Sequence, residues 1–219
     1  MSNTVMVFKG KTDILSNFYE FPIYYNGMCF NCVEQAYQHA KAVMYERMDI
    51  ATQLLHLKTG YQQWRCAKRI KVDERWGEAR VYIMRDILVQ KLHCQESYRN
   101  LLLQTDAFIV EAVPGDKFWS CGLTKEEALR RNPSTYPGKN IMGQLHMEVR
   151  EIAKQRERVE ADFRAAALAL AGCEEVTFIN IGVGNQLEIF TTNESLVCER
   201  LQGVVSEAYS VKQPWQLVK

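Results

Sequence analysis

Apolar side chains recur at helical spacing through most of this chain and at strand spacing only in short runs. Val5-Met6-Val7-Phe8 is β-type, and Phe21-Pro22-Ile23-Tyr24-Tyr25 is a second short run that closes on the turn signal Asn26-Gly27. Helices follow. Val33, Ala36, Tyr37, Ala40, Val43 and Met44 share one period and predict a helix over 33–45, with a second over 46–56. Trp76, Ile83, Met84, Ile87, Leu88 and Leu92 predict a long amphipathic helix over 73–94, and 97–103 continues that character. A strand over 107–113 leads into the turn Pro114-Gly115-Asp116, and Thr124 with Glu127 three residues later makes a capping box for a short helix to Arg131. Asn132-Pro133 ends it. Beyond the loop Tyr136-Pro137-Gly138-Lys139-Asn140, a long helix is expected over 141–172, then a strand pair at 176–181 and 187–192 and a helix over 194–201. The pattern is α+β and predominantly helical, with a few short strands.

Composition adds limits. With 47% hydrophobic and 24% charged residues the chain has the side chains for a full core, and 219 residues fit one large domain with a small appendage. The net charge of +1 argues against bulk electrostatic attraction to nucleic acid or an anionic membrane. The charge is uneven, however: residues 1–150 hold 20 basic against 16 acidic side chains, and the remainder 7 against 10. That distribution is consistent with an anionic ligand in the first part. Seven cysteines without disulfide-scaffold spacing read as reduced thiols, and no secretory signal opens the chain. The longest aliphatic run, 165–171, is far short of the ~20 residues of a membrane span. The expectation is a soluble cytoplasmic protein with no membrane partner, the nucleus being the alternative compartment.

Candidate chemistry concentrates in two places. On the helix over 33–45, Glu34, Gln38 and Lys41 stand at i, i+4 and i+7, so a carboxylate, an amide and an amine share one line. The spacing fits a solvated face as well as a catalytic stripe with Lys41 as nucleophile or charge stabiliser and Glu34 as acid or base. In the loop after the strand over 107–113, Asp116 and Trp119 are candidates, the tryptophan as a packing lid or as a stacking platform for a nucleobase. Asn140 and Gly143 bracket a helix start, where backbone N–H groups favour phosphate. Cys29 and Cys32 form a lone CxxC with His39 as the one nearby further ligand, too few for structural zinc. Arg65, Lys68, Arg69, Lys71 and Arg75 cluster, partly neutralised by Asp73 and Glu74, either as a solvated face or along a nucleic-acid backbone. Ile181-Gly182-Val183-Gly184-Asn185 lacks the third glycine of a dinucleotide fingerprint and reads as a turn.

Taken in order, Leu15-Ser16-Asn17-Phe18-Tyr19, Pro22, Gly27, Phe30, Glu34-Gln35, Gln38 and Lys41-Ala42 resemble the opening of the NADAR superfamily, the YbiA-like proteins. Trp76, Met84, Leu88, Lys91, Thr105, Glu111, Asp116, Trp119, Gly122, Gly138, Asn140, Gly143, Met147 and Arg150 continue the match. The resemblance implies a catalytic domain over 1–155, with 156–219 as a small α/β extension packed on it or mediating association. It implies cleavage of an N-glycosidic bond: removal of ADP-ribose from guanine in DNA or RNA, or cleavage of a phosphoribosylamino-pyrimidine of the riboflavin pathway. A module that only binds ADP-ribose or NAD is the non-enzymatic alternative. By motif position, Lys41, Glu34 and Asp116 would be catalytic, with Lys41 attacking the ribose carbon. Ser16, Asn17, Phe18, Gln38, Trp119, Gly122, Asn140 and Gly143 would hold the substrate. No cofactor and no metal are implied. Where many members have glycine soon after the motif tryptophan, Ser120-Cys121 precede Gly122 here, a departure that bears on substrate preference.

Overall fold

The computed structural model describes residues 4–170, 176–181 and 187–191. Two compact units divide it, 1–154 and 155–219. The first unit is mostly helix around two small sheets, the α+β class that the pattern predicts. Strand β1 (Val5–Phe8) pairs in parallel with β4 (Phe108–Glu111), so chain termini of the helical region meet at one sheet. Strands β2 (Ile23–Tyr25) and β3 (Met28–Phe30) form a hairpin, whose turn residues Asn26 and Gly27 have φ of 48° and 76°. Both positive φ values are what a two-residue hairpin turn demands, and Asn-Gly supplies them with the least strain.

Helix α1 (Val33–Met44) follows directly, then α2 (Met48–His56), α3 (Gly60–Ala67), the long α4 (Glu74–Cys94), α5 (Glu96–Leu103), α6 (Lys125–Arg130) and α7 (Ile141–Leu170). Phe8, Val33, Tyr37, Met84, Leu88 and Ile109 are among the buried side chains of one core that α1, α4, α7 and β4 share. The capping box at Thr124 and Glu127 forms as the sequence indicates, with Glu127 N–H donating to Thr124 Oγ1 at 3.2 Å and Thr124 N–H to Glu127 Oε2 at 2.9 Å.

Two elements were not apparent in the pattern. Strand β3 is three residues long and exists through its pairing with β2. Helix α3 carries a second capping box, Thr59 with Gln62, yet buries Gly60, Gln63 and Ala67 and turns Tyr61 and Trp64 outward. Its hydrophobic face is inverted, so periodicity reports nothing.

In the second unit, β5 (Val176–Ile181) pairs antiparallel with β6 (Leu187–Thr191). The helix expected over 194–201 lies outside the described residues. Among those residues no helix is long and apolar enough to cross a membrane.

Candidate functional site

Helix α1 begins under the loop that carries Ser16-Asn17-Phe18. Glu34 N–H donates to the Asn17 carbonyl at 3.0 Å, which fixes the first turn of α1 against that loop. The stripe is not a solvated face: Glu34 is 4% exposed and Gln38 6%. Gln38 Nε2 donates to Glu34 Oε1 at 2.7 Å. Burial pushes the Glu34 carboxyl up to about 7, against the opposing pull of the Gln38 hydrogen bond and the Lys41 charge. Lys41, partly exposed, donates to the Ala67 carbonyl of α3 at 3.3 Å, and its Nζ lies 5.7 Å from the centre of the Trp76 ring. Desolvation lowers its pKa, and Glu34 pulls the other way.

An aromatic wall adjoins the stripe. Tyr37, between Glu34 and Lys41 on α1, packs on Trp76 at 5.2 Å and edge-on to Trp119 at 5.8 Å. Trp119 meets Phe118 at 5.0 Å, and the Arg80 guanidinium lies 3.5 Å over the Phe118 ring. The loop holding these rings is shaped by Asp116, whose Oδ1 accepts from Phe118 N–H and Trp119 N–H at 2.9 and 3.0 Å. That leaves the other oxygen of Asp116 for other work. Glu111, at the end of β4, has its carboxyl pushed up to about 8 by desolvation first, then by the charges of Asp116 and Glu34. Three carboxylates therefore share one electrostatic neighbourhood, and two of them hold protons near neutrality. Such an arrangement keeps proton donors close to a third carboxyl group.

Among the described residues, three buried polar atoms in this region have no hydrogen-bond partner, Asn17 Oδ1, Gln38 Oε1 and Arg80 Nε, as do atoms of Gln95, Arg99 and His146 elsewhere. Unsatisfied buried polar groups are expensive, and a ligand in a cleft is one way of completing them.

The other expected residues take framing positions. Ser16 is buried and its Oγ accepts from Phe18 N–H at 3.1 Å. The Phe18 ring lies on Gly60 so closely that a Cβ there would come within 2.6 Å of it. Gly122 has φ of 79° and turns the loop beneath Pro137. Ser120, at the family departure, is fully buried and spends its Oγ on the end of β4, accepting from Val113 N–H at 2.6 Å and donating to the Glu111 carbonyl at 2.8 Å. Asn140, at φ 52°, accepts from Glu111 N–H through Oδ1 at 3.0 Å and donates from Nδ2 to the Ile109 carbonyl at 2.9 Å. A Cβ on Gly143 would stand 2.1 Å from that same Ile109 carbonyl. These two residues, expected at a phosphate, instead clamp α7 to β4. The N–H groups of Ile141 and Met142 at this helix end already donate to the carbonyls of Phe118 and Trp119. Cys32 Sγ donates to Gln63 Oε1 at 3.4 Å, so this member of the CxxC pair packs as a buried thiol.

Sequence reasoning did not single out Arg80, Tyr37 or Glu111 as site residues. Glu111 had a usable signal, its position as the last residue of a strand before the Pro114-Gly115-Asp116 turn. Arg80 had none, being one cation in a long helix.

The NADAR domain family model matches residues 7–153, two thirds of the chain and all of the elements that build this site. The chain belongs to the NADAR domain family. It is 26% identical across 138 residues to the protein irg-1 of Caenorhabditis elegans, covering 61% of this chain and 65% of that one. It is 40% identical across 57 residues to an N-glycosidase of Acanthamoeba polyphaga mimivirus, 26% of this chain and 34% of the relative. An N-glycosidase of Nostoc punctiforme is 30% identical across 141 residues, 62% of this chain and 82% of the relative. The chain thus spans less than two thirds of the length of the first two. The NMR structure of the Escherichia coli protein YbiA superposes with a TM-score of 0.59 at 24% identity, covering 72% of this chain and 89% of that one, a likeness of fold.

Proposed function

We propose that this NADAR domain hydrolyses an N-glycosidic bond, and that its substrate is ADP-ribose joined to guanine in nucleic acid. The observation that carries the reading is the buried Glu34 carboxyl, raised to about 7, one helix face from an amine of lowered pKa and beside polar atoms left without partners. Breaking a bond between ribose C1′ and a base nitrogen sends the electron pair to the nitrogen and leaves positive charge on the sugar. Glu34, protonated near neutrality, donates a proton to the departing guanine nitrogen. Lys41, as the neutral amine, forms a bond from Nζ to C1′, and the sugar ring opens to an imine with its ring oxygen taking up a proton. Water then adds to the imine carbon, freeing the ribose and restoring the amine. Asp116 stabilises the cationic sugar from the loop side, next to the raised Glu111 carboxyl.

Asn17 and Gln38 have free carbonyl oxygens suited to ribose hydroxyls, and Trp119 with Phe118 offers ring faces to adenine. Arg80 supplies the cation that a pyrophosphate needs. Two sequence relatives named as N-glycosidases support the bond class. The deciding experiment measures free ADP-ribose released from a guanine-ADP-ribosylated oligonucleotide by wild type, Lys41→Ala and Glu34→Gln, with borohydride added to reduce the imine. Release by wild type, lost in both variants, with a borohydride-trapped adduct absent from Lys41→Ala, is the expected result. Folded wild type that releases nothing, yet cleaves a phosphoribosylamino-pyrimidine, overturns the assignment of substrate. Saturable ADP-ribose binding without any turnover overturns the assignment of activity.

A further inference from the structure

Helix α3 is built inside out. The residues it buries are Gly60, Gln63 and Ala67, and its large side chains Tyr61 and Trp64 are 59% and 37% exposed. Nothing in the core requires two aromatic rings on that surface, because the inward face already satisfies itself. Gln63 Nε2 donates to Leu57 O and Asn31 Oδ1 at 2.8 and 3.1 Å, and the small Gly60 admits the Phe18 ring. A helix that hides glutamine and shows tryptophan leaves two neighbouring rings on the outer surface.

The segment that carries those rings holds charge of one sign, up to Asp73. Residues 58–72 contain Lys58, Arg65, Lys68, Arg69 and Lys71 and no acidic residue, in a chain whose net charge is +1. All five cations are exposed, and none of them makes an ion pair among the described residues. Tyr61, Trp64, Arg65 and Lys68 stand at i, i+3, i+4 and i+7, one outward line about 10 Å long. The two rings lie 5.7 Å apart at 33° to each other, and Lys68 Nζ sits 3.5 Å over the Trp64 ring. The line is also adjacent to the site: Lys68 directly follows Ala67, whose carbonyl accepts from Lys41 Nζ.

We infer that the outward face of α3 is a seat for single-stranded nucleic acid, Tyr61 and Trp64 stacking unpaired bases while Arg65, Lys68 and their neighbours follow the phosphates. This deepens the proposed function and rests on it for the link to turnover. Flat ring faces interleaved with cations are the chemistry of sequence-tolerant single-strand binding. A duplex hides its base faces and offers only phosphates, so it forfeits the aromatic half of the surface. An acidic peptide offers charge without the faces.

The test is fluorescence anisotropy with a labelled, unmodified single strand of about 16 nucleotides, as DNA and as RNA, beside the matching duplex and with polyglutamate as competitor. Wild type is expected to bind at least one of the two single strands more tightly than the duplex. Tyr61→Ala/Trp64→Ala should weaken that binding by about tenfold or more, with Trp64→Phe alone retaining most of it. Arg65→Gln/Lys68→Gln should lower the slope of log affinity against log salt by about 1.4. On guanine-ADP-ribosylated substrates, the kcat/KM ratio of oligonucleotide to mononucleoside should fall by about the same factor as the affinity in the aromatic variant. Binding of neither single strand, an unchanged affinity without the two rings, or displacement by polyglutamate at equal charge overturns the seat. The anisotropy arms use unmodified strands, so a seat that binds in a protein that releases no ADP-ribose leaves this inference standing and removes the reading of the site. Release from oligonucleotides that ignores every α3 substitution does the reverse.

Discussion

Lys41 and Lys91 both have lowered pKa values through burial, yet their surroundings differ in kind. Lys91 is 1% exposed on α4 and its value falls to about 7. Its Nζ donates to the Ile14 carbonyl at 2.5 Å and to the Ser16 carbonyl at 3.4 Å, and it faces the Tyr98 ring at 4.7 Å. Those contacts fasten the loop that precedes Asn17. Lys41 is partly exposed, has a single backbone acceptor, and faces a protonatable carboxyl on its own helix. Near Lys41, Asn17 Oδ1 and Gln38 Oε1 lack partners among the described residues, and near Lys91 so does His146 Nε2, so the difference is access: Lys41 is partly exposed and Lys91 is sealed. A depressed lysine pKa therefore marks desolvation, and partial exposure beside unsatisfied polar atoms marks the place for a ligand.

The largest effect that sharpens the contrast is on turnover. Lys41→Ala should lower kcat by about 10²–10⁴-fold, while its unfolding free energy stays within about 0.5 kcal/mol of wild type, measured by urea denaturation. A stability loss of about 1–2 kcal/mol with turnover retained would make Lys41 a second Lys91.

Next comes the pH dependence of Glu34. Its folded value of about 7 lies above its ordinary 4.5, so the folded state keeps a proton that the unfolded state has lost. That contribution to stability is whole below pH 4.5 and disappears as pH rises through about 7. Stability of Glu34→Gln relative to wild type should rise by about 3 kcal/mol across that window. Buried His146, lowered to about 3, gives the opposite slope in the same region, so the difference between the two proteins is the quantity to follow. A flat difference would mean that Glu34 is solvated.

Lys91→Met should be milder, costing about 1–2 kcal/mol because two carbonyls lose their donor while the volume is kept. Lys91 has the reverse sign from Glu34: its folded value of about 7 lies below 10.5, so stability rises with pH between those values. The methionine variant should lose that alkaline rise. The smallest effect belongs to a control: Tyr24, 64% exposed on β2, should change stability by less than about 0.5 kcal/mol and turnover not at all when replaced by serine.

Sequence pattern makes the helical scaffold legible where the buried face is chiefly apolar, as on α4, and where caps are explicit, as at Thr124. It is silent on α3, because a helix that buries Gly60, Gln63 and Ala67 carries its periodic apolar residues on the wrong side. Its capping box was there to be read. Residue order across the chain makes the Glu34, Gln38 and Lys41 stripe recognisable, but spacing alone cannot tell a solvated line from a buried one. Burial of that stripe is a tertiary fact, made by the Asn17 loop and by Trp76 arriving from α4. For the same reason Asn140 and Gly143 look like a phosphate end in sequence and stand as a clamp in space.

That clamp narrows what position 140 tolerates. The residue there must adopt a left-handed backbone, accept from Glu111 N–H and donate to the Ile109 carbonyl at once. Aspartate lacks the donor, glycine lacks both groups, and glutamine is a methylene too long. For anyone redesigning this domain toward another glycoside, asparagine 140 is the fixed pivot from which the aim of the Glu111 carboxylate is measured, and the freedom to vary lies in the loop on its other side.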